Sequence, residues 1–398
     1  MIKIPAAGGY DQLVYTDLPE CGYTEGANIK LDGHDETNCV VVETHACGVN
    51  YADVIIRWGL YESAKKYVGW PITPGFEFSG IIKKVGENVK DFKVGDKVAG
   101  VSMFGGYSQK IFVPANQIQK IPDNISMSEA AGFIAVGLTA WYAIFELCKL
   151  RKGDSVLIHS AAGGVGSMLV QMTKNIIGCH VVGVVGRSHK VDIAKELGCD
   201  SVIDKSTQDL WTTAEDLTVS GYRAIFDANG VDTLQESYNH VAQGGRLVSF
   251  GGATLMPRST ATGTGSVRVS DWIKMMWRYK NSPTFNPMTM MSDNKSVMAF
   301  NLSFMFGDKN LIKESFSDLF QWIEDGRIKV AKVTEYRLKD VGTAHRDLES
   351  GNTIGKLVLL TQEESKETTK EQAQSDDTES HGLLKHESEQ MQQLNIAE

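Results

Sequence analysis

The sequence predicts an α/β fold: a small β-rich domain, then a doubly wound parallel sheet and an acidic C-terminal tail. Its 398 residues exceed what one ordinary core holds and suit two domains. Short β-branched runs separated by Gly and Pro dominate residues 1–124, whereas strand-like and helix-like segments alternate from residue 125 onward. Because strands buried on both faces read as continuous apolar runs, this alternation indicates a parallel sheet covered by helices.

The N-terminal part contains segments typical of strands joined by tight turns, namely residues 40–45, 80–86 and 95–101. After them, Ser126 or Ser128 can cap a helix that starts near Glu129. The helix continues through the 16 uncharged residues 130–145. A bilayer span needs roughly 20 apolar residues, so we expect a buried helix here and no membrane span.

Five apolar runs predict the strands of the parallel sheet: residues 156–159, 181–185, 201–204, 224–228 and 246–251. Helices are predicted between the first three of these runs, over 168–177 and 190–197. Further along, the pattern predicts a Trp- and Met-rich helix, a sixth strand, another helix and a closing apolar run, over 271–280, 296–302, 312–325 and 355–360.

The net charge of −9 is concentrated in the tail, because residues 363–398 hold ten acidic residues and three lysines. The rest of the chain is near neutral, which excludes the basic surface expected of a nucleic-acid-binding protein. We interpret the tail as disordered and solvated, with a short interaction helix as the alternative. Six scattered cysteines without a C-x-x-C pair indicate reduced thiols, and the N-terminus does not resemble a signal peptide.

A glycine turn follows the first strand of the predicted parallel sheet and precedes a helix. Gly163, Gly164 and Gly166 lack β-carbons, so the backbone can approach a diphosphate whose charge the helix N-terminus stabilises. The match to G-x-G-x-x-G is imperfect, because Leu169 occupies the third glycine position. The alternative is a purely structural turn, but its place at the start of the alternation favours dinucleotide binding.

The loop after the second strand indicates which dinucleotide binds. Folds that prefer NAD usually place an acidic residue about 20 residues after the turn, where it binds the ribose hydroxyl. This chain has Gly186 there, followed by Arg187, Ser188 and Lys190. Without a carboxylate, a 2′-phosphate meets no repulsion and gains charge-assisted hydrogen bonds. We therefore expect NADPH as the cofactor, against the alternative of a solvated turn with incidental basic residues.

Several motifs resemble one known family in order and spacing: residues 50–61, Pro74-Gly-Phe-Glu-Phe-Ser-Gly80, Gly95-Asp-Lys-Val98, residues 161–166 and Phe250-Gly251. Over about residues 10–361 the chain resembles the quinone oxidoreductases of the zinc-free medium-chain dehydrogenase/reductase superfamily. Residues 285–287 and 294–302 are most similar to the synaptic vesicle amine transport protein branch. The resemblance implies a GroES-like domain, a Rossmann NADP-binding domain and a return to the first domain, over 1–124, 125–305 and 306–362.

The same resemblance implies where the cofactor and the substrate bind. Asn50 and Tyr61 would face the nicotinamide and the substrate, with Thr139 nearby. The phosphates would contact Gly163, Gly164, Val165 and Gly166 at the turn, and Ser188, Lys190 and Lys205 at the adenosine end. Lys205 replaces a tyrosine that is common in the family, so it can pair with the phosphate but cannot stack on adenine. Asn229, Phe250 and Gly251 would lie at the ribose and nicotinamide side.

A catalytic zinc is not expected. Zinc-dependent relatives carry Cys where this chain has Asn50, and His where it has Phe76, and a catalytic zinc needs three protein ligands. The structural-zinc lobe is also missing, since residues 90–120 contain no cysteine. His45 and Cys47 are close in sequence, but we interpret them as core residues of a strand.

Without a metal to polarise a carbonyl, reduction of an electrophilic acceptor is favoured. We expect NADPH to pass hydride to a quinone or to an activated carbon–carbon double bond, with Tyr61 and Asn50 donating hydrogen bonds to the developing oxyanion. For Tyr61, a packing or stacking role is the alternative. Two other functions stay open: a vesicle-associated or scaffold protein that binds NADPH with little turnover, and an enoyl or enone reductase.

The resemblance also implies a homodimer formed through edge strands of two parallel sheets, for which residues 296–302 are the candidate. Small-molecule quinones or enones are the expected substrates. We expect a cytoplasmic protein with no transmembrane segment. Any membrane contact would be peripheral, and the sequence shows no lipidation motif or basic amphipathic helix to mediate it.

Overall fold

The computed structural model describes residues 1–17, 24–25, 36–256 and 264–362. Met1–Thr361 form one compact unit. The predicted acidic tail, residues 363–398, and the interaction helix considered for it lie outside the described residues.

The N-terminal part forms a mainly antiparallel sheet from its β-branched runs. The strands of this part are, in chain order, β1 (Ile2–Lys3), β2 (Val14–Tyr15), β3 (Thr24–Glu25), β4 (Cys39–Val49), β5 (Glu77–Val85), β6 (Lys97–Val101), β7 (Lys110–Pro114) and β8 (Ile118–Lys120). The first two, β1 and β2, form a separate short antiparallel pair. The long strand β4 pairs antiparallel with both β5 and β7, while β5 pairs with β6 and β6 with β8. Between β4 and β5 the chain forms α1 (Tyr51–Arg57) and α2 (Glu62–Tyr67).

The uncharged stretch forms the central helix α3 (Met127–Trp141), which continues through a π-helical turn, Tyr142–Glu146. Of the two predicted caps, Ser126 is the one used: its side chain accepts from the backbone N–H of Glu129, and the Glu129 carboxylate accepts in return from Ser126. By length and composition, Met127–Glu146 could cross a membrane, but 78% of its most apolar 18-residue stretch is buried. Within the described chain it packs as the core helix that the sequence predicted.

The alternating segments form the predicted parallel sheet. Its first five strands are β9 (Ser155–His159), β10 (His180–Val185), β11 (Ser201–Asp204), β12 (Tyr222–Asp227) and β13 (Val241–Ser249). The helices between them are α4 (Gly164–Gln171), which continues as a π-helical turn over Met172–Ile177, then α5 (Val191–Glu196), α6 (Leu210–Asp216) and α7 (Leu234–Asn239). All described pairings are parallel, in the order β11-β10-β9-β12-β13. The strand order reverses direction between β9 and β12, where such folds bind ligands.

Residues 264–362 connect the two sheets. In chain order they form α8 (Val269–Lys280), α9 (Pro287–Asp293), β14 (Ser296–Ala299), α10 (Lys309–Glu324), β15 (Val333–Arg337), α11 (Val341–Ser350) and β16 (Lys356–Leu360). The strand β14 extends the parallel sheet beyond β13, but it is shorter than predicted because Leu302–Met305 form a 3₁₀ turn. The strand β16 pairs antiparallel with β4, which brings residue 356 next to the end of β4.

One expectation about the surface is wrong. The helix α8 is a basic amphipathic helix: Ile273, Met276 and Trp277 are each more than 60% exposed. Lys274 and Lys280 are exposed on the same helix. The sequence pattern hides this face because the apolar residues of α8 resemble those of a core helix.

Candidate active site

The glycine turn connects β9 to α4 and leaves little room for β-carbons, least of all at Gly166. A β-carbon on Gly166 would lie 2.1 Å from the carbonyl oxygen of Ser160, and one on Gly164 would lie 3.1 Å from a Val136 methyl. Ser160 itself adopts a positive φ of 57°. Gly163, as N-cap, contributes no capping side chain. The first-turn N–H groups, which an α-helix leaves without internal acceptors, therefore fit the diphosphate of a dinucleotide.

The loop after β10 carries the predicted adenosine-phosphate ligands. Arg187, Ser188 and Lys205 are exposed. Lys205, from the end of the next strand, extends over the turn, since its Cε lies 3.4 Å from where a β-carbon on Gly186 would be. The structure thus brings two cations from neighbouring strands to one turn. Their arrangement fits a phosphate monoester.

The expectation that this loop lacks a carboxylate is wrong. Asp204, the last residue of β11, accepts a hydrogen bond of 2.6 Å from the Ser188 hydroxyl. Hydrogen bonds from Ser188 and Ser206 lower the pKa of Asp204 to about 2, so it is ionised at neutral pH. The sequence motif does not reveal this acid, because the motif places the acidic residue at the end of β10, whereas Asp204 lies at the end of the adjacent strand β11.

Lys190 contacts backbone carbonyls in this structure. Its ammonium donates to the carbonyl oxygens of Gly351 and Thr353, both at 2.8 Å. Burial lowers the pKa of Lys190. The lysine thus joins the parallel-sheet part to the segment between α11 and β16, and binding a phosphate would require it to exchange these carbonyls.

A polar cluster of Asn50, Glu77 and Lys356, which we call the amide cluster, lies between the glycine turn and β4. The Asn50 side-chain amide donates to Glu77 Oε1 at 2.8 Å, and the Lys356 ammonium contacts the same oxygen at 2.8 Å. Lys356 also donates to Asn50 Oδ1. The second oxygen of Glu77 accepts from the backbone N–H of Ala135 in α3. The carboxylate is fully buried, and each of its oxygens has a partner.

Tyr61 lies against an aromatic wall formed by Phe76 and Phe104, with ring centroids 5.6 and 6.1 Å away. Its hydroxyl is within 3.2 Å of Asn301 and Ser303, which follow β14. Burial raises the pKa of Tyr61, so the hydroxyl keeps its proton at neutral pH. Phe76, at the position that zinc-dependent relatives use for a ligand, packs as part of this wall. Throughout the described ranges, no group of three or more His, Cys, Asp or Glu residues is placed to hold a metal.

The remaining predicted ligands lie around the end of the parallel sheet. Asn229 is buried and its amide contacts His159 Nδ1 at 3.2 Å. Gly251 follows β13, and a β-carbon there would lie 2.5 Å from the carbonyl oxygen of Ala228. Phe250 packs partly against the core. Thr139 is half-buried and donates its hydroxyl to Ala135 within α3, so it offers lone pairs to a ligand.

A second buried network supports Asn229. Asp227 accepts from the Ser237 hydroxyl at 2.8 Å and from the backbone N–H of Asn229 at 2.8 Å. The oxygen that accepts from Ser237, Oδ2, lies 3.7 Å from Nε2 of His159. Burial lowers the pKa of His159 to about 4, so the ring is neutral at physiological pH. The network therefore orients Asn229 at the carboxyl end of the sheet without a buried positive charge.

Sequence reasoning missed Glu77, Lys356, Asn301 and Ser303 as site residues. Glu77 and Lys356 did offer a signal: each is a charged residue at the start of an apolar strand, where burial requires a partner of opposite charge. Asn301 and Ser303 offered none, because they are ordinary polar residues of a connecting segment.

The fold and the site together define a nucleotide-dependent oxidoreductase of the medium-chain type. Residues 36–123 match the family described as alcohol dehydrogenase GroES-like domain, and residues 197–359 match the family described as zinc-binding dehydrogenase. A probable quinone oxidoreductase of Schizosaccharomyces pombe is 32% identical, over 82% of this chain and 90% of its own. The chain belongs to the medium-chain dehydrogenase/reductase superfamily and to its quinone oxidoreductase-like group.

Two further proteins are similar to this chain. A synaptic vesicle membrane protein VAT-1 homolog of Danio rerio is 29% identical, over 88% of this chain and 71% of its own. The crystal structure of Escherichia coli quinone oxidoreductase complexed with NADPH superposes with a TM-score of 0.73 at 28% identity, covering 90% of this chain and 99% of that one. At the family level these findings show NADPH-dependent, quinone oxidoreductase-like reduction, as the sequence motifs predicted.

Proposed function

We propose that this chain is an NADPH-dependent reductase that passes hydride to a quinone or to an activated carbon–carbon double bond without a catalytic metal. One observation carries the proposal. Lys356 packs its stem within 3.6 Å of the β-carbon position of Gly164, at the start of the glycine turn, and bonds its ammonium to Asn50. The turn that fits a dinucleotide and the residue predicted to face the substrate are therefore parts of one connected site.

When bound, NADPH supplies the hydride, and the chain binds it, orients the acceptor and excludes water. Asn50 has a second amide hydrogen besides the one that it donates to Glu77. The Tyr61 hydroxyl is a second donor, held protonated by its buried position. Two such donors stabilise negative charge that develops on an acceptor oxygen. Phe76 and Phe104 are buried and pack against the Tyr61 ring, which holds that side chain in place.

The preference for NADPH over NADH rests on opposing charges. Arg187 and Lys205 are both exposed cations at the turn, and each charge-assisted hydrogen bond that they donate to a 2′-phosphate contributes roughly 1.5–3 kcal/mol. The Asp204 carboxylate opposes the phosphate, but it is already hydrogen-bonded to Ser188 and Ser206. We therefore expect the two cations to prevail. A thermal-shift comparison of NADPH with NADH tests this, and an equal shift with both would contradict it.

The acceptor is tested by following NADPH oxidation with naphthoquinone, phenanthrenequinone, an alkenal and an enoyl thioester. Steady turnover with the quinones supports the proposal. Turnover with the alkenal or the thioester alone assigns the chain to enone or enoyl reduction. If the purified protein has no affinity for either nicotinamide nucleotide, the proposal is wrong at its base.

We further propose a homodimer through β14. This strand is at the edge of the parallel sheet in the described chain, and it pairs with β13 alone. An unpaired edge is a template for pairing with a second copy. Size-exclusion chromatography with light scattering tests this at micromolar concentration, where a monomeric mass would refute it.

A second candidate function is favoured by α8. We propose that this exposed helix contacts an anionic membrane surface from the cytoplasm, because its exposed face combines Trp272 and Trp277 with basic residues. Cosedimentation with phosphatidylserine vesicles tests it. Binding that is unchanged in a Trp272→Ser, Trp277→Ser variant would exclude the helix as the contact.

A further inference from the structure

The amide cluster contains a lysine whose position is unusual. Lys356 is 5% exposed and begins β16, directly after Gly355, whose backbone N–H lies 3.4 Å from the carbonyl oxygen of Ala162 in the glycine turn. Its stem also fills the space beside α3, 3.0 Å from where a β-carbon on Gly132 would be. Because Lys356 is packed against the glycine turn and α3, a different side chain at this position would require its neighbours to move.

The carboxylate of Glu77 compensates the charge of Lys356. Both groups are buried, and their contact is 2.8 Å. The same oxygen of Glu77 also accepts from Asn50. An ion pair between two buried groups would be complete without the amide, so the inclusion of Asn50 needs its own explanation.

The charges on either side of Asn50 select one orientation of its side chain. The oxygen Oδ1 accepts from the ammonium of Lys356, and the nitrogen Nδ2 donates to the carboxylate of Glu77. A rotation by 180° would bring the amide N–H groups against the ammonium and the amide oxygen against the carboxylate. Both new contacts would be repulsive, so the pair of charges determines which end of the amide is the donor.

We propose that Lys356 is a positioning residue that acts through Asn50: together with Glu77 it holds the carboxamide so that the second hydrogen of Nδ2 is presented to the electron acceptor. The inference rests on the proposed function and deepens it. It assigns to the end of the chain a part in the site that Asn50 and Tyr61 form near its beginning. The acceptor class that this arrangement suits is one with an exposed carbonyl oxygen.

The alternative role for Lys356 is purely structural, as the counter-ion of Glu77. Three variants separate the two roles: Lys356→Met, the charge-neutral double variant Glu77→Gln with Lys356→Met, and Lys332→Met as a matched control for an exposed lysine next to β15. A structural role requires that the double variant recover both melting temperature and turnover. The positioning role requires that it recover melting temperature while kcat stays at least about tenfold low, because a donor to the developing oxyanion has been misoriented.

A double-mutant cycle with Asn50→Ala measures whether the lysine acts through the amide. We expect Lys356→Met to lower kcat at least about tenfold when Asn50 is present, and less than about twofold in the Asn50→Ala background. An equal loss in both backgrounds overturns the proposal, as does full recovery of kcat in the double variant. The control Lys332→Met should match the wild type in both quantities.

A readout without cofactor keeps this test separate from the proposed function. In protein labelled with ¹⁵N-asparagine, the side-chain amide signals of Asn50 are assigned by their loss in Asn50→Ala. They should be separate from the signals of solvated asparagines and should exchange slowly with water. These signals should merge with those of solvated asparagines in both Lys356 variants. If the signals change as expected but the wild type never oxidises NADPH, the orientation is upheld and the proposed reaction fails. If they do not change in the variants, Lys356 does not hold the amide.

Discussion

The variant Gly166→Ala tests the assignment of the glycine turn most directly. Its β-carbon would lie 2.1 Å from the carbonyl oxygen of Ser160, and 2.8 and 2.9 Å from two further backbone atoms, the Ser160 carbonyl carbon and Ala161 Cα. No flexible side chain can move aside, so the first turn of α4 has to shift by about 1 Å to restore van der Waals contact. Such overpacking costs roughly 1–3 kcal/mol of stability. The same shift misplaces the N–H groups that would bind the diphosphate.

The assay is isothermal titration of NADPH together with urea unfolding. We expect the dissociation constant to rise at least about tenfold, equivalent to about 1.4 kcal/mol, and the free energy of unfolding to fall within the range above. Gly307→Ala is the control, because a β-carbon there would have no neighbour within 4 Å and the backbone conformation suits alanine. Unchanged NADPH affinity in Gly166→Ala, with the fold intact, would refute the placement of the diphosphate at this turn.

The remaining predictions concern specificity, catalysis and pH. Asp204→Asn should raise the affinity for NADPH relative to NADH several-fold, because it removes the negative charge beside Ser188; a titration with both nucleotides that shows an unchanged ratio would contradict this. Tyr61→Phe should lower kcat about tenfold or more with little effect on NADPH affinity, whereas unchanged turnover would leave Tyr61 a packing residue only. Burial lowers the pKa of His159 from 6.5 to about 4, so the unfolded chain binds the proton more tightly and stability falls as the pH drops through this window. The loss from pH 7 to pH 5 should be about 2 kcal/mol, and urea unfolding of His159→Gln should show a correspondingly smaller fall; an equal fall in both proteins would show that His159 is not responsible.

Local sequence patterns predicted the elements of the fold well. The strand β11 was predicted with its observed bounds, Ser201–Asp204, and β9 and β10 within a residue at each end. These strands are buried on both faces, so their apolar runs carry the necessary information locally. The predictions were less accurate where the pattern ends gradually: α4 begins four residues before the predicted helix, because glycines at its start hide the helical periodicity.

The candidate site was only partly predictable. The glycine turn and Arg187 could be proposed from spacing, since both lie within a few residues of a strand end. The contact of Asp204 with Ser188 was not predicted. These residues are 16 positions apart in sequence and become adjacent only when the parallel strands β10 and β11 pair. The carbonyls that hold Lys190 come from residues more than 150 positions later.

By itself, the sequence determined the order of strands and helices, the turn that suits a diphosphate and the family to which the chain belongs. Each of these depends on residues that are close together along the chain. The tertiary structure alone decided that Lys356 meets Asn50 across 306 positions, because β16 pairs antiparallel with β4. Buried charges require a partner of opposite sign, but the sequence does not say which partner, and only the closed sheet brings the right one within hydrogen-bonding distance.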